Sequence, residues 1–224
     1  MKNKILIAAV LIISVCFLPS CDNTKKNTSK SEMDSSMDQQ MHMPASSTTG
    51  SDNAMMQAMN MMKNKMNEMK MTGDFDLDFA NMMIIHHQSA IDMSRAVIDK
   101  GTDAQIRTMA QNIITAQNME IGQLQAFIKD YKIPDTKKTN QEMHNELDET
   151  MKGMMDNMNN MQMTENTDKD FVRMMIVHHE SAVKMAGDEL SHGKQYAVKK
   201  MAQKMVEDQS KEINDFKAWL SSQK

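Results

Sequence analysis

The chain has 224 residues and a formal net charge of −4, with 25% charged and 40% hydrophobic residues. These values fit a folded domain, and without a basic face they argue against a nucleic-acid partner. Only three prolines and seven glycines are present, which is too few for the turns of a β-sandwich or barrel, so an all-α fold is expected. The unusual feature is the 30 methionines, and they are the main clue to function.

The first segment, 1–21, has the pattern of a lipoprotein signal peptide. Two lysines precede an apolar run, Ile5 to Leu18, that is too short to cross a bilayer comfortably. The run ends at Cys21 in a sequence resembling a bacterial lipobox, which predicts lipidation of Cys21. We therefore expect a protein anchored by its N-terminal lipid to a membrane of the bacterial cell envelope, facing the periplasm or the cell exterior. An ordinary secretory signal or an uncleaved anchor is the alternative.

Residues 22–50 are polar and are expected to form a disordered tether between the lipid and the folded domain. No core can form in such a segment, yet besides Met33 it carries a cluster of four sulfur and imidazole donors: Met37, Met41, His42 and Met43. Thioether and imidazole donors together favour Cu(I), with Cu(II) or Ag(I) also accepted. These four residues are secondary metal candidates, unless the methionines reflect compositional drift alone.

The remainder of the chain carries an internal repeat. Residues 78–127 align without a gap with residues 170–219. Repeat 1 is placed at 51–134 and repeat 2 at 142–222, and each is expected to contain a Met-rich helix, a His-His helix and a third helix. The predicted helices span 53–70, 76–100 and 103–131, then 142–162, 168–192 and 195–222. Two helical hairpins related by internal symmetry predict a four-helix bundle, to which the Met-rich helices are additional.

The ends of the two His-His helices have recognisable signals. Candidate N-caps are Asp76 or Asp78 in repeat 1, and Thr167 or Asp168 in repeat 2. Gly101 and Gly193 stand where helices commonly break at their C-terminal ends.

Residue spacing predicts which polar side chains face the bundle interior. Steps of four and three residues place a glutamine and a glutamate on the inward seam of each third helix, and one histidine on the seam of each His-His helix. The expected interior residues are His86, Gln117, Glu120, His178, Gln209 and Glu212. Since a buried carboxylate costs several kcal/mol unless it is paired or metal-bound, these residues form either a structural hydrogen-bond network or part of a metal site.

The two His-His motifs share their methionine neighbours. In each copy, methionines lie three and four residues before the histidines and six or seven residues after them. An intact duplication of this soft-donor pattern favours a role in metal binding.

The pattern Met-Met-x-x-His-His-x-x-Ala-x-x-Met, followed by Met-Ala and Gln-x-x-Glu-Ile, resembles the CopM-like family, also called domain of unknown function 305. The resemblance covers residues 75–224. It implies a ferritin-like four-helix bundle, a secreted or periplasmic location, and copper binding as Cu(I) or Cu(II). Carried over residue by residue, it implies these copper ligands: Met82, Met83, His86, His87, Met93, Met174, Met175, His178, His179 and Met185.

Methionines also recur at helical spacing in the two Met-rich segments. The stripes are Met59, Met62, Met66 and Met69, and Met151, Met154, Met158 and Met161. Such stripes usually form an adaptable core, and core packing is expected for these eight. Five methionines fall off the stripes and are expected at or near the surface: Met56, Met61, Met71, Met155 and Met163.

Three functions are compatible with these patterns. The first is a copper-binding protein that buffers, sequesters or delivers the ion, in contact with a copper-exporting or copper-accepting protein, and that is not an enzyme. The second is a ferritin-like di-metal protein, for which Glu189 and His192 supply the single Glu-x-x-His motif. The third is a helical interaction module without metal. A catalytic nucleophile–base pair or a phosphate-binding loop is not evident in the sequence.

Overall fold

The computed structural model describes residues 51–134 and 141–223, and within them the chain forms six helices and no strand. The helices are α1 (Ser51–Glu68), α2 (Phe75–Lys100), α3 (Ala104–Asp130), α4 (Gln141–Asn159), α5 (Thr167–His192) and α6 (Tyr196–Ser222). The all-α prediction is confirmed, and the predicted helices differ from the observed ones by a few residues at their ends.

Helices α2 and α5 form the centre of the structure. His86 on α2 lies against His178 on α5, His87 contacts α3, and Ser89 contacts α1. Because successive residues turn by about 100° around a helix, these contacts place α5, α3 and α1 on three different sides of α2. Helix α5 repeats this pattern with α6 and α4. Helices α2, α3, α5 and α6 thus form a four-helix bundle, and α1 and α4 pack on the opposite side of the central pair.

The N-caps of the central helices lie outside the residues that the sequence pattern suggested. Asp74 caps α2 by accepting from the backbone N–H of Leu77, and Asn166 caps α5 by accepting from that of Lys169. The predicted caps, Asp76 or Asp78 and Thr167 or Asp168, were wrong. The aspartates among them lie inside the first helical turns, where their carboxylates accept from neighbouring turns instead.

Two of these aspartates link the repeats reciprocally. Asp76, at the start of α2, accepts from two backbone N–H groups of the α5–α6 turn, at 2.9 and 2.6 Å. Asp168, at the start of α5, accepts from the backbone N–H groups of Thr102 and Asp103 in the α2–α3 turn, at 2.9 and 3.1 Å. The central helix of each repeat therefore fixes the turn that begins the third helix of the other.

Gly101 and Gly193 end α2 and α5, as predicted, but in extended conformation, with φ of −68° and −62°. Glycine is therefore required at these two positions by the lack of room for a side chain, and not by its backbone conformation. A Cβ atom at Gly101 would collide with the carboxylate of Asp168, and one at Gly193 with that of Glu189. The α1–α2 turn does contain a left-handed glycine, Gly73, with φ of 81°.

None of the helices found in residues 51–134 and 141–223 combines the length and apolarity needed to span a bilayer. The predicted signal peptide 1–21, the lipidation site Cys21 and the tether 22–50 lie outside the described residues.

Candidate metal centre

The methionines and histidines of the duplicated motif all lie in the interior of the helical domain. The four histidines are fully buried, and the most accessible of the ten side chains, Met82, is 2% exposed. The ten residues are Met82, Met83, His86, His87 and Met93 from α2, and Met174, Met175, His178, His179 and Met185 from α5. The two motifs meet because α2 and α5 cross at their histidines.

The first histidines of the two motifs are stacked on each other. The ring centroids of His86 and His178 are 3.7 Å apart, with the planes inclined by 40°. None of their four ring nitrogens has a hydrogen-bond partner in the described part of the chain. Burial, and then the neighbouring histidines, lower the pKa of both rings well below 6.5. Both imidazoles are therefore neutral near pH 7, which is the form that binds metal ions.

The second histidines of the motifs contact the glutamates of the third helices. Nε2 of His87 lies 2.7 Å from Oε2 of Glu120, and Nε2 of His179 lies 2.8 Å from Oε2 of Glu212. The glutamate side chains are 12% and 25% exposed, so they lie at the edge of the interior.

This arrangement differs from the expectation that both glutamates lie in the bundle interior together with His86 and His178. Each motif's second histidine lies about 100° around the helix from the first, and so faces the third helix of its own repeat. Partial hydration of the glutamates then reduces the free energy that a fully buried carboxylate would cost.

Two glutamines complete the polar interior. Gln117 on α3 and Gln209 on α6 are each 2% exposed, and their side-chain amides have no hydrogen-bond partner within residues 51–134 and 141–223. Together with His86 and His178 they leave several buried polar atoms unpaired, which is rare in folded proteins and calls for a bound ion, a ligand or a cost in stability.

The Glu-x-x-His sequence of α5 does not form a di-metal centre. Glu189 is buried, and burial together with the adjacent carboxylate of Asp76 raises its pKa to about 9. His192 instead lies with Nε2 3.1 Å from Oε2 of Glu146. Nowhere in the described residues do three His, Cys, Asp or Glu side chains converge as a metal site. The ferritin-like alternative therefore lacks a ligand set in this part of the chain.

The methionines of α1 and α4 divide between core and cavity. Five stripe residues are buried as expected: Met59, Met62, Met151, Met154 and Met158. Met66, Met69 and Met161 are half-buried. Met155, which was expected near the surface, is instead only 8% exposed, and it lines a cavity between α1, α2 and α4.

This cavity has a volume of about 560 Å³, and methionines supply half of its lining residues. They are Met66, Met69, Met71, Met82, Met151 and Met155. Sequence reasoning identified Met82 as a candidate ligand but assigned Met66, Met69 and Met151 to core packing. The sequence signal for the cavity was the off-stripe pair Met71 and Met155, which a simple core does not explain. The tether candidates Met37, Met41, His42 and Met43 lie outside the described residues.

Comparison with known proteins gives one family and a consistent set of structures. The model of the family described as domain of unknown function (DUF305) matches residues 22–128 and again residues 76–220. A DUF305 fragment from Deinococcus radiodurans is similar in fold, with 22% identity, a TM-score of 0.50, and coverage of 66% of this chain and 96% of that one. None of the curated proteins compared with the chain matches it.

The chain is also similar to structures of CopM. The Cu(II)-bound form of CopM is 29% identical, with a TM-score of 0.51, over 66% of this chain and 96% of that chain. The Cu(I)-bound form is 28% identical, with a TM-score of 0.50 and the same coverage.

Proposed function

Because the chain belongs to the DUF305 family, we propose that it is a copper-binding protein that holds Cu(I) or Cu(II) through methionine and histidine side chains. CopM, which shares the fold at 28–29% identity, is described in Cu(I)-bound and Cu(II)-bound forms. The ligand set proposed for this chain is the duplicated motif on α2 and α5.

The observation that carries the proposal is the buried pair His86 and His178. Two neutral imidazoles with unpartnered nitrogens are packed among methionines at the contact between the repeats. Thioether and imidazole form the donor set that suits Cu(I), and imidazole also suits Cu(II). Since these donors are enclosed, copper reaches them only through a local opening of the helices, and we expect metal binding to stabilise the closed fold.

We further propose that the protein is a carrier and not an enzyme. Its copper is buffered, sequestered or delivered at the cell envelope, where lipid at Cys21 would hold the domain near a membrane. A copper-exporting or copper-accepting protein would be its partner. Methionine donors lose no proton on binding, so such a carrier keeps part of its affinity in an acidic compartment.

The test is an anaerobic Cu(I) titration of residues 22–224, in competition with a chromogenic chelator. We expect His86→Phe/His178→Phe to weaken Cu(I) binding at least tenfold, because both substitutions fill the space but remove the nitrogen donors. His192→Phe is the matched control, since this histidine is one-third exposed and lies outside the motif. Thermal melts verify that each variant is folded.

Two outcomes would contradict the proposed site. Unchanged copper binding in the double histidine variant, with loss in Met37→Leu/Met41→Leu/His42→Phe/Met43→Leu, would move the copper to the tether. A folded wild-type protein that binds no copper in either oxidation state would overturn the proposal and favour the helical interaction module.

A further inference from the structure

We propose that the methionine-lined cavity between α1 and α4 is a second metal site, built from thioethers and selective for a soft monovalent cation, Cu(I) or Ag(I). It is separate from the imidazole pair of the bundle centre. The inference rests on the proposed function only in taking copper as the ion that the cell presents.

The cavity gathers donors from both repeats. Met66 on α1, and Met69 and Met71 in the turn after it, face Met151 and Met155 on α4, and Met82 on α2 closes the inner end. The repeat counterpart of Met155 is Lys63, which lines the same cavity. The site is therefore not one of two equal copies, and Met155, one of the two donors that α4 contributes, is particular to repeat 2.

Packing alone does not explain so many methionines at this place. The side chain is unbranched and flexible, and in a core it fills irregular gaps. Here six of them line a space of about 560 Å³ that opens to solvent beside the exposed Lys63, Asn67 and Asp156, so they do not fill a gap inside a core. Met71 is also 36% exposed, and an accessible thioether is an oxidation target with little structural value. A ligand that uses the sulfur atoms accounts for both features.

The charges around the cavity favour a monovalent ion over a divalent one. Lys63 and Lys152 are balanced by Asp148 and Asp156 in the lining, so the formal charge of the surroundings is zero. Thioethers are neutral and leave the full charge of the ion uncompensated, which penalises a divalent ion more than a monovalent one. Sulfur donors also favour Cu(I) over Cu(II).

The cavity lies next to the enclosed motif. Met82 belongs to both, since it lines the cavity and stands one helical turn before His86 on α2. The half-buried methionines at the rim are accessible, while the imidazoles are fully buried. The cavity is thus placed to bind an incoming ion before the helices open to the histidines.

The experiment compares two triple variants of the chain spanning residues 22–224. Met69→Leu/Met71→Leu/Met155→Leu removes three cavity donors. Met119→Leu/Met161→Leu/Met163→Leu removes three methionines outside the cavity lining, two of which are the repeat counterparts of Met69 and Met71. Methionine-to-leucine changes conserve volume and should preserve the fold, which circular dichroism checks.

Anaerobic Cu(I) and Ag(I) titrations at pH 5 and pH 7.5 are followed by NMR of ¹³C-methyl methionine. Besides the equivalent assigned to the imidazole pair, we expect the wild type and the control variant to bind one equivalent of either ion with nearly the same affinity at both pH values, because thioethers do not titrate. The cavity variant should lose at least tenfold in affinity for that equivalent. The methyl signals of Met69, Met71 and Met155 should shift on addition of Ag(I).

The outcomes separate the two proposals. If copper binding falls only in His86→Phe/His178→Phe and the cavity methyl signals do not respond to Ag(I), the cavity site is overturned and the proposed function stands. If the cavity variant alone loses the ion, the cavity site stands and the histidine site is overturned. Tight Cu(II) binding in the cavity would contradict the proposed selectivity, and a wild type that binds neither Cu(I) nor Ag(I) would overturn both proposals.

Discussion

At the scale of the residue, the imidazoles of His86 and His178 make the metal-free protein sensitive to acid. Burial lowers the pKa of both rings well below 6.5 in the folded state, so both rings are neutral there. Once unfolded, each ring recovers a pKa near 6.5 and binds a proton below that pH. The unfolded state therefore binds more protons in acid, and stability falls as the pH falls below 6.5.

We expect each of these histidines to contribute up to about 1.4 kcal/mol of lost stability per pH unit below 6.5. His178→Phe should remove roughly half of that dependence, measured by urea unfolding of the metal-free protein between pH 5 and 6.5. His192→Gln, at a partly exposed position, should leave the dependence nearly unchanged. Equal pH dependence in wild type and His178→Phe would show that the ring is not neutral in the fold.

Glu189 produces the opposite dependence on pH. Its pKa is raised to about 9 by burial and by the adjacent carboxylate of Asp76, so the folded state keeps a proton that the unfolded state has released above pH 4.5. Stability therefore falls as the pH rises from 4.5 to 9. Repeat 1 has the fully buried Val97 at the equivalent position, and so avoids this cost.

We expect Glu189→Gln to stabilise the protein by roughly 1–3 kcal/mol at pH 8, because the amide stays neutral where the carboxyl is costly to ionise. The gain should shrink on lowering the pH towards 5. Urea unfolding of wild type and variant from pH 7 to 9 isolates this group, since the buried histidines do not titrate there. A constant difference across that range would contradict the raised pKa.

At the scale of the element, the central helices are joined to the opposite repeat by their first-turn aspartates. Asp168 accepts from the hydroxyl and backbone N–H of Thr102 and the backbone N–H of Asp103. It therefore satisfies N–H groups of the turn that begins α3, which would otherwise lack partners. Asp76 does the same for α6.

Removing the carboxylate of Asp168 should lower the free energy of unfolding more than the substitution of an exposed residue does. We expect Asp168→Ala to lower the free energy of unfolding by about 2 kcal/mol, because two backbone donors of a half-buried turn lose their acceptor. Asp99→Ala, at a side chain that is 69% exposed, should change it by less than about 0.5 kcal/mol. Denaturant unfolding measures both, and equal effects would show that the turn is solvated without Asp168.

At the scale of the whole molecule, the repeats share one core. The stacked histidines, the reciprocal aspartates and the cavity all use residues from both repeats. A single repeat would expose the inner faces of its central helix, where His86, Ala90 and Met93 are fully buried in the intact protein. Folding should therefore be cooperative across both repeats.

Residues 51–223 should accordingly unfold in one calorimetric transition. A fragment of residues 51–134 should either unfold or self-associate, using a second copy to cover the face that α5 covers in the intact protein. Analytical ultracentrifugation with circular dichroism distinguishes these states. A fragment that is helical, cooperatively folded and monomeric would contradict a shared core.

The helices, their duplication and the inward face of α2 and α5 follow from the amino-acid sequence alone. These properties are local, because hydrophobic spacing follows the helical repeat. The two copies also show the same spacing, which supports the assignment of each helix. The burial of Met83, His86 and Ala90 at regular steps follows from that spacing. The duplicated His-His motif, with its methionine neighbours, was also sufficient to indicate the family.

Which polar groups meet depends on the tertiary structure. The contact of Glu120 with His87, the position of Asp168 beside Thr102, and the convergence of Met69 and Met155 on one cavity join residues far apart in the chain. Such contacts depend on how helices cross and on how far each is rotated about its axis. A rotation of about 100° exchanges neighbouring residues of a helix, so spacing along one helix cannot choose between His86 and His87 as the partner of a side chain on another.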